Sequence, residues 1–227
     1  MKKYLLFTLL TLWVVVAPMR AQDDPEYRME IGVGAGFGGY QGDFNGSLTR
    51  DLQPLGSVMA RYVFNPYSAL RMKVGYTVMK GSSEDVETSY PDYREKPYTF
   101  RNTLYDVALT YEYNFWPYGT GRDYRGAKRL TPFVFGGLGL TYIDKPDKGK
   151  AALNVPFGLG VKYKIGERVN LGLEWAIHFT LSDELDGVKD PYYVESSGLF
   201  KNTDSYSALQ LTLTYSFVQK CKTCNKE

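Results

Sequence analysis

The chain has 227 residues and a formal net charge of +2, and it contains 20 Tyr, 12 Phe and 23 Gly. This length suits one sizeable domain, and the near-neutral charge gives no indication of nucleic-acid binding. After the N-terminal stretch no segment approaches 18 consecutive apolar residues, which excludes a helical membrane span. An aromatic-rich chain with a mean hydropathy below zero is typical of strands in which apolar and polar residues alternate.

The N-terminus has the features of a secretory signal peptide. Two lysines precede an apolar run over residues 4–17, and the small residue Ala21 stands before Gln22. The run is too short for a membrane anchor, and its flanks suit cleavage. We therefore predict a signal peptide over residues 1–21, whose three basic residues would leave the mature chain with a net charge of −1.

Alternation of apolar and polar residues recurs eight times in the mature chain. Strands are predicted at 28–40, 55–64, 68–80, 100–115, 131–143, 154–165, 168–181 and 205–218. The clearest alternation runs from Val169 to Leu181, where the odd-numbered residues are all apolar. About 9 to 11 tilted residues cross a bilayer, so strands of this length indicate a membrane protein. The predicted fold is all-β, an eight-stranded antiparallel up-and-down transmembrane β-barrel over residues 22–218.

The connections between the predicted strands alternate in length. Tight turns are predicted at 65–68 and 166–168. Long polar loops are predicted at 41–54, 81–99, 144–153 and 182–204. Because outer-membrane barrels have short periplasmic turns and long outer loops, the pattern predicts the bacterial outer membrane, with both termini in the periplasm.

The face opposite the apolar residues carries charges of both signs. An eight-stranded barrel is only wide enough to hold its own side chains. The inward charges are therefore predicted to form a paired ion network that fills the lumen and leaves no channel. The residues predicted for this lumen network are Arg61, Arg71, Lys73, Asp106, Glu112, Lys162, Lys164 and Glu174.

The single histidine, His178, stands four residues after Glu174. On a helix the two side chains would be neighbours, whereas on a strand they share one face roughly 13 Å apart. That separation favours two lumen-packing positions over a catalytic or metal site, so no catalytic, cofactor-binding or metal-binding residue is predicted. The alternative is a small lipid-modifying barrel enzyme that uses His178 with Ser182 in the following loop.

Two features at the predicted periplasmic end favour a partner-binding surface there. The turn over residues 116–130 is long where a short one is expected, and a tail over residues 219–227 follows the closing strand. The residues predicted to bind a partner are Arg122, Arg125, Lys128, Arg129, Cys221 and Cys224. Two thiols are too few for a zinc site, so the cysteines are predicted to close a disulfide in the tail or to bond a partner thiol.

The ordered motifs of the mature chain resemble one known family. The motifs are "YQGDFNG", "ARYVFNPYSALRMKVGY", "YEYNFWPYG", "TPFVFGGLGL" and "NVPFGLGVKYKIGERVNLGLEWAIHFTLSDELDGV". Together they are similar to the PorG family of small outer-membrane proteins of the type IX secretion system. The similarity extends over nearly all of the mature chain, and the paired-cysteine tail is also a feature of that family.

The resemblance implies a non-enzymatic part of a protein secretion machine. Its expected partners are the periplasmic ring proteins PorK and PorN, together with outer-membrane lipid, and no cofactor is expected. Besides the lipid-modifying enzyme, a second alternative is a structural or adhesive barrel that acts through its long outer loops.

Overall fold

The computed structural model describes residues 26–41, 52–82, 99–121, 126–144, 149–181 and 205–219. It contains eight strands: β1 Tyr27–Gln41, β2 Gln53–Asn65, β3 Ser68–Ser82, β4 Thr99–Asn114, β5 Leu130–Asp144, β6 Lys150–Lys164, β7 Val169–Thr180 and β8 Ser205–Gln219. The predicted strands are confirmed, with small differences at their ends. In the described ranges no helix is long and apolar enough to cross a membrane.

The eight strands form one closed antiparallel barrel. Each strand pairs with the next along the chain, and β8 returns to pair with β1, from Tyr27 opposite Gln219 to Gln41 opposite Ser205. Closure leaves no strand edge without a partner, which is the condition for a β-structure to lie in lipid.

The wall separates an apolar outer face from a polar interior, as the alternation predicts. In β7, Leu173 is 49% exposed whereas its neighbour Glu174 is 2% exposed. The apolar side chains at alternate positions of the fourth and sixth predicted strands are all exposed: Tyr105, Val107, Leu109, Tyr111, Tyr113, Phe115, Val155, Phe157, Leu159, Val161, Tyr163 and Ile165. A barrel of this kind exposes its apolar residues to lipid rather than to water.

Strand β6 differs most from its prediction, because it begins at Lys150 rather than at 154. Ala151 and Ala152 lie opposite Tyr142 and Thr141 of β5, but two alanines in sequence hide the alternation. The predicted loop at 144–153 is therefore much shorter in the structure.

The first strand begins and the last strand ends at the same end of the barrel. It carries Tyr27, the turn between β2 and β3, the segment between β4 and β5, the turn over residues 165–168, and Gln219. We call this the terminal end. The predicted loops at the opposite end, 41–54, 81–99 and 182–204, lie largely outside the described residues, as do the predicted signal peptide and residues 220–227 of the tail.

Candidate functional site: the lumen and the cap

The barrel interior is filled by charged side chains. Each residue predicted for the lumen network is at most 5% exposed: Arg61, Arg71, Lys73, Asp106, Glu112, Lys162, Lys164 and Glu174. Successive side chains of a strand point to opposite faces, and these residues occupy the inward-facing positions of their strands.

One set of ion pairs is centred on Glu112 of β4. Its carboxylate bonds Lys162 Nζ of β6 and lies 3.1 Å from Arg61 Nη2 of β2. Arg61 also bonds Glu30 of β1. The chain Glu30–Arg61–Glu112–Lys162 thus crosses the lumen and links four strands.

A second set is centred on Glu174 of β7. Its carboxylate lies 2.5 Å from Arg71 Nη1, lies 3.6 Å from Lys73 Nζ, and accepts a hydrogen bond from Gln210 Nε2 of β8. Arg71 Nη1 also lies 3.9 Å from Glu112, which joins the two sets. Removing one partner from such a network would leave a buried charge unpaired.

Two of the predicted lumen residues have neutral partners that the sequence analysis did not identify. Lys164 Nζ donates to Asn170 Oδ1 at 3.0 Å. Asp106 accepts hydrogen bonds from Asn154 Nδ2 at 2.6 Å and from Thr141 Oγ1 at 3.2 Å. These amides and the hydroxyl occupy inward-facing positions of their strands, and a polar residue at an inward position is the sequence signal that marks them.

Aromatic side chains of β5 complete the packing inside the barrel. The Arg71 guanidinium lies 4.1 Å from the ring centroid of Phe135, and Lys162 Nζ lies 5.3 Å from that of Phe133. The two rings lie over Gly158 and Gly160 of β6, where an added Cβ would overlap the ring atoms. Glycine is therefore required by the close approach of the rings.

His178 and Glu174 have separate partners, although they share one face of β7. A hydrogen bond of 2.9 Å joins His178 Nδ1 to the Tyr206 hydroxyl, and the two rings stack with centroids 4.3 Å apart. Asp106 Oδ1 lies 3.8 Å from the same nitrogen. His178 is 2% exposed, so its imidazole faces other lumen side chains. Ser182 lies outside the described residues.

The segment between β4 and β5 folds across the terminal end. We call its described residues, 115–121 and 126–130, the cap. Thr120 donates from its amide and hydroxyl to the Glu26 carboxylate, with the hydroxyl bond at 2.6 Å. Tyr118 N donates to the Pro66 carbonyl at 3.0 Å, and the Arg129 carbonyl accepts from Lys164 N at 2.8 Å. The cap is thereby hydrogen-bonded to the residue before β1, to the turn between β2 and β3, and to β6.

Tyr118 is the cap residue that reaches the lumen. Its hydroxyl donates to Asn170 Oδ1 at 2.9 Å, and its ring centroid lies 4.7 Å from Lys162 Nζ and 5.4 Å from Lys164 Nζ. Burial raises the pKa of the Tyr118 hydroxyl, and the nearby Glu30 carboxylate acts in the same direction. The hydroxyl thus stays protonated, as the hydrogen bond to Asn170 requires.

The basic residues predicted for partner binding divide into two groups. Lys128 is exposed, and its ammonium lies 4.6 Å from the ring centroid of Trp116. Arg129 is half-buried and donates from Nε to the Thr120 carbonyl at 2.7 Å, so part of its role is to hold the cap. Arg122, Arg125, Cys221 and Cys224 lie outside the described residues.

These features define the class of protein. A closed eight-stranded barrel, apolar outside and filled with paired charges inside, is a transmembrane β-barrel of the outer-membrane type. The chain belongs to the family described as "Domain of unknown function (DUF6089)", whose model matches residues 3–226. The search of curated proteins found no match.

Solved structures of similar shape include outer-membrane proteins. Neisserial surface protein A has 16% identity and a TM-score of 0.49, with 83% of this chain and 97% of that chain covered. OprG from Pseudomonas aeruginosa has 10% identity and a TM-score of 0.49, with coverages of 86% and 100%. Ail of Yersinia pestis, in complex with the heparin analogue sucrose octasulfate, has 9% identity and a TM-score of 0.45, with coverages of 84% and 99%. No residue role transfers from them at these identities.

Proposed function

We propose that this protein is a non-enzymatic component of the type IX secretion system that anchors or organises the periplasmic PorK/PorN ring at the outer membrane. The resemblance of its motifs to the PorG family is the basis for naming these partners. The structural observation that carries the proposal is the cap, a long connection folded across the end of the barrel where both chain ends of the wall lie.

The filled lumen supports a role outside the barrel. Paired charges occupy the interior, and Tyr118 lies over them at the terminal end. A barrel with such an interior has its working surfaces at its two ends or on its lipid face.

The terminal end is the surface we assign to the periplasm. Tight turns belong to the periplasmic side of such barrels, and an even number of strands brings both chain ends there. The fastened cap is a preorganised surface, which lowers the ordering cost of binding a partner. Its exposed Lys128, with Arg122 and Arg125 of the same connection, would orient an acidic partner surface. Cys221 and Cys224 would close on each other or bond a partner thiol.

The test is co-purification of PorK and PorN with the barrel. In one variant the chain ends after Val218, and Arg122, Arg125, Lys128 and Arg129 are replaced by Gln. We expect this variant to insert normally and to lose most of the co-purified ring proteins. The matched control replaces Lys80 and Arg101 at the opposite end by Gln, and we expect the parent level of association. Parent-level association of the truncated and neutralised barrel would place the ring contact elsewhere.

The non-enzymatic part of the proposal rests on the setting of His178. Its imidazole is buried and bonded to Tyr206, so it lies away from the lipid that an enzyme would modify. We expect His178→Ala to leave secretion and the lipid composition unchanged once barrel assembly is verified, and Tyr206→Phe serves as the control for the lost hydrogen bond. A lipid modification that disappears in His178→Ala but persists in Tyr206→Phe would favour the enzyme instead. Deletion of residues 83–98 tests the role of an outer loop.

A further inference from the structure

Two exposed cations at the rim of the terminal end lie against aromatic side chains. We propose that this rim binds the phosphate groups of anionic membrane phospholipids through Arg168 and Lys128. This inference shares Lys128 with the proposed partner surface, but it concerns the lipid around the barrel, and Arg168, which the proposed function does not use, tests it separately.

Arg168 is the first cation of the rim. It lies exposed in the turn between β6 and β7, and its Nη1 donates to the Tyr215 hydroxyl at 3.1 Å. Its guanidinium carbon also lies 5.7 Å from the ring centroid of Tyr27. Because Tyr215 is a lipid-facing residue of β8, its hydroxyl holds the guanidinium at the edge of the apolar band. The remaining N–H groups form a planar fork that suits phosphate oxygens.

Lys128 is the second cation, and its setting is similar. Its ammonium lies over the ring of Trp116, which directly follows the exposed Phe115, the first residue after β4. Leu130, two residues further along the chain, is exposed on the outer face. Trp and Tyr rings at this level mark the membrane–water interface, and a cation on such a ring lies at the depth of the lipid phosphates.

The position of these cations favours lipid over a protein partner. Arg168 bonds the lipid-facing Tyr215 and Lys128 lies over the exposed Trp116, whereas the side chains of Tyr118 and Thr120 turn toward the lumen and Glu26. Two other described cations of this end bond within the barrel, since Lys164 bonds Asn170 and Arg129 bonds Thr120. Apolar neighbours such as Ile165, which is 52% exposed, would contact the acyl chain of a lipid whose phosphate meets Arg168.

One acidic residue opposes this binding and supplies a control. Glu167 immediately precedes Arg168 and is exposed. Its carboxylate repels a phosphate, so Glu167→Gln should strengthen lipid binding. If altering this turn acted only by disturbing its structure, Glu167→Gln and Arg168→Gln would both weaken lipid binding.

The experiment measures how many phospholipids the full chain retains. Purified protein in mild detergent is mixed with equal amounts of phosphatidylglycerol and phosphatidylcholine, and the bound lipids are counted by native mass spectrometry. We expect the parent to prefer phosphatidylglycerol. Arg168→Gln and Lys128→Gln should each lower its apparent affinity by about fivefold, since each cation near an anionic lipid contributes a factor of that order. Glu167→Gln should raise it.

Matched arms separate the possible sources of the effect. Lys80→Gln with Arg101→Gln removes two charges at the opposite end and should leave the preference unchanged. Inorganic phosphate at constant ionic strength should displace little phosphatidylglycerol, because it lacks the acyl chains. Equal retention by the parent and by the Arg168→Gln, Lys128→Gln double variant would overturn the proposal. So would complete displacement by phosphate, or a loss of ring association in Arg168→Gln without any change in bound lipid.

Discussion

At the residue scale, the buried carboxylate of Glu112 interacts with the charges of three cations. Arg61 and Arg71 lie 3.1 Å and 3.9 Å from it, and Lys162 bonds it directly. Glu112→Gln keeps the shape of the side chain but removes its charge. We expect the free energy of unfolding to fall by about 3 to 5 kcal/mol, the cost of leaving buried cations unpaired.

Urea unfolding of the barrel in lipid vesicles measures this loss. Glu167→Gln is the control, because it removes a carboxylate that is exposed. Its effect should stay below about 1 kcal/mol. Equal stability of the Glu112→Gln barrel and the parent would mean that the lumen charges are hydrated and do not depend on one another.

At the element scale, the cap depends on one side chain for its contact with the lumen. Tyr118→Ala removes the hydrogen bond to Asn170 and the ring contacts with Lys162 and Lys164. Together these contacts are worth about 1.5 to 3 kcal/mol. We therefore expect amide exchange in the cap to accelerate by about tenfold to a hundredfold, while exchange in the strands is unchanged.

Hydrogen exchange at the amides of residues 118 and 120 measures the opening of the cap, because these amides donate to groups outside the cap, the Pro66 carbonyl and the Glu26 carboxylate. Tyr118→Phe is the matched control, since it keeps the ring and loses only the hydroxyl. Its exchange should accelerate by about fivefold, as one hydrogen bond predicts. Unchanged exchange in Tyr118→Ala would show that the bonds from Thr120 to Glu26 hold the cap unaided.

At the scale of the whole molecule, the outer face is expected to contact the hydrocarbon core of the membrane. Leu173 lies on the lipid-facing side of β7. We expect Leu173→Arg to cost about 2 to 4 kcal/mol of stability if the residue lies near the bilayer midplane. Leu173→Phe keeps the face apolar and should cost much less. Unfolding in vesicles compares the two, and equal losses would contradict a lipid contact at this position.

The whole barrel is also expected to carry no ion current. The interior is occupied by the two joined sets of ion pairs and is covered by Tyr118 at the terminal end. Planar bilayers containing the purified protein should therefore match protein-free bilayers in conductance. Stable single-channel steps from the parent protein would show that water and ions pass through the network.

The period-two alternation by itself determined the number of strands, their approximate bounds and the face that each side chain occupies. These follow from backbone geometry, because successive side chains of a strand point to opposite faces whatever the strand pairs with. Leu173 and Glu174 are therefore assigned correctly from their order alone. The two consecutive alanines of β6 show the limit, since residues of equal size and polarity leave no alternation to read.

The tertiary structure alone decided which inward residues meet. The alternation places Glu112 and Arg71 inside, but their bonds to Lys162 and Glu174 depend on the stagger between strands that are not neighbours in the barrel. The same holds for the cap, whose length was visible in the sequence while the insertion of Tyr118 beside Asn170 was not. A contact across a closed barrel is set by strand tilt and register together, and neither quantity is contained in the local pattern of any one strand.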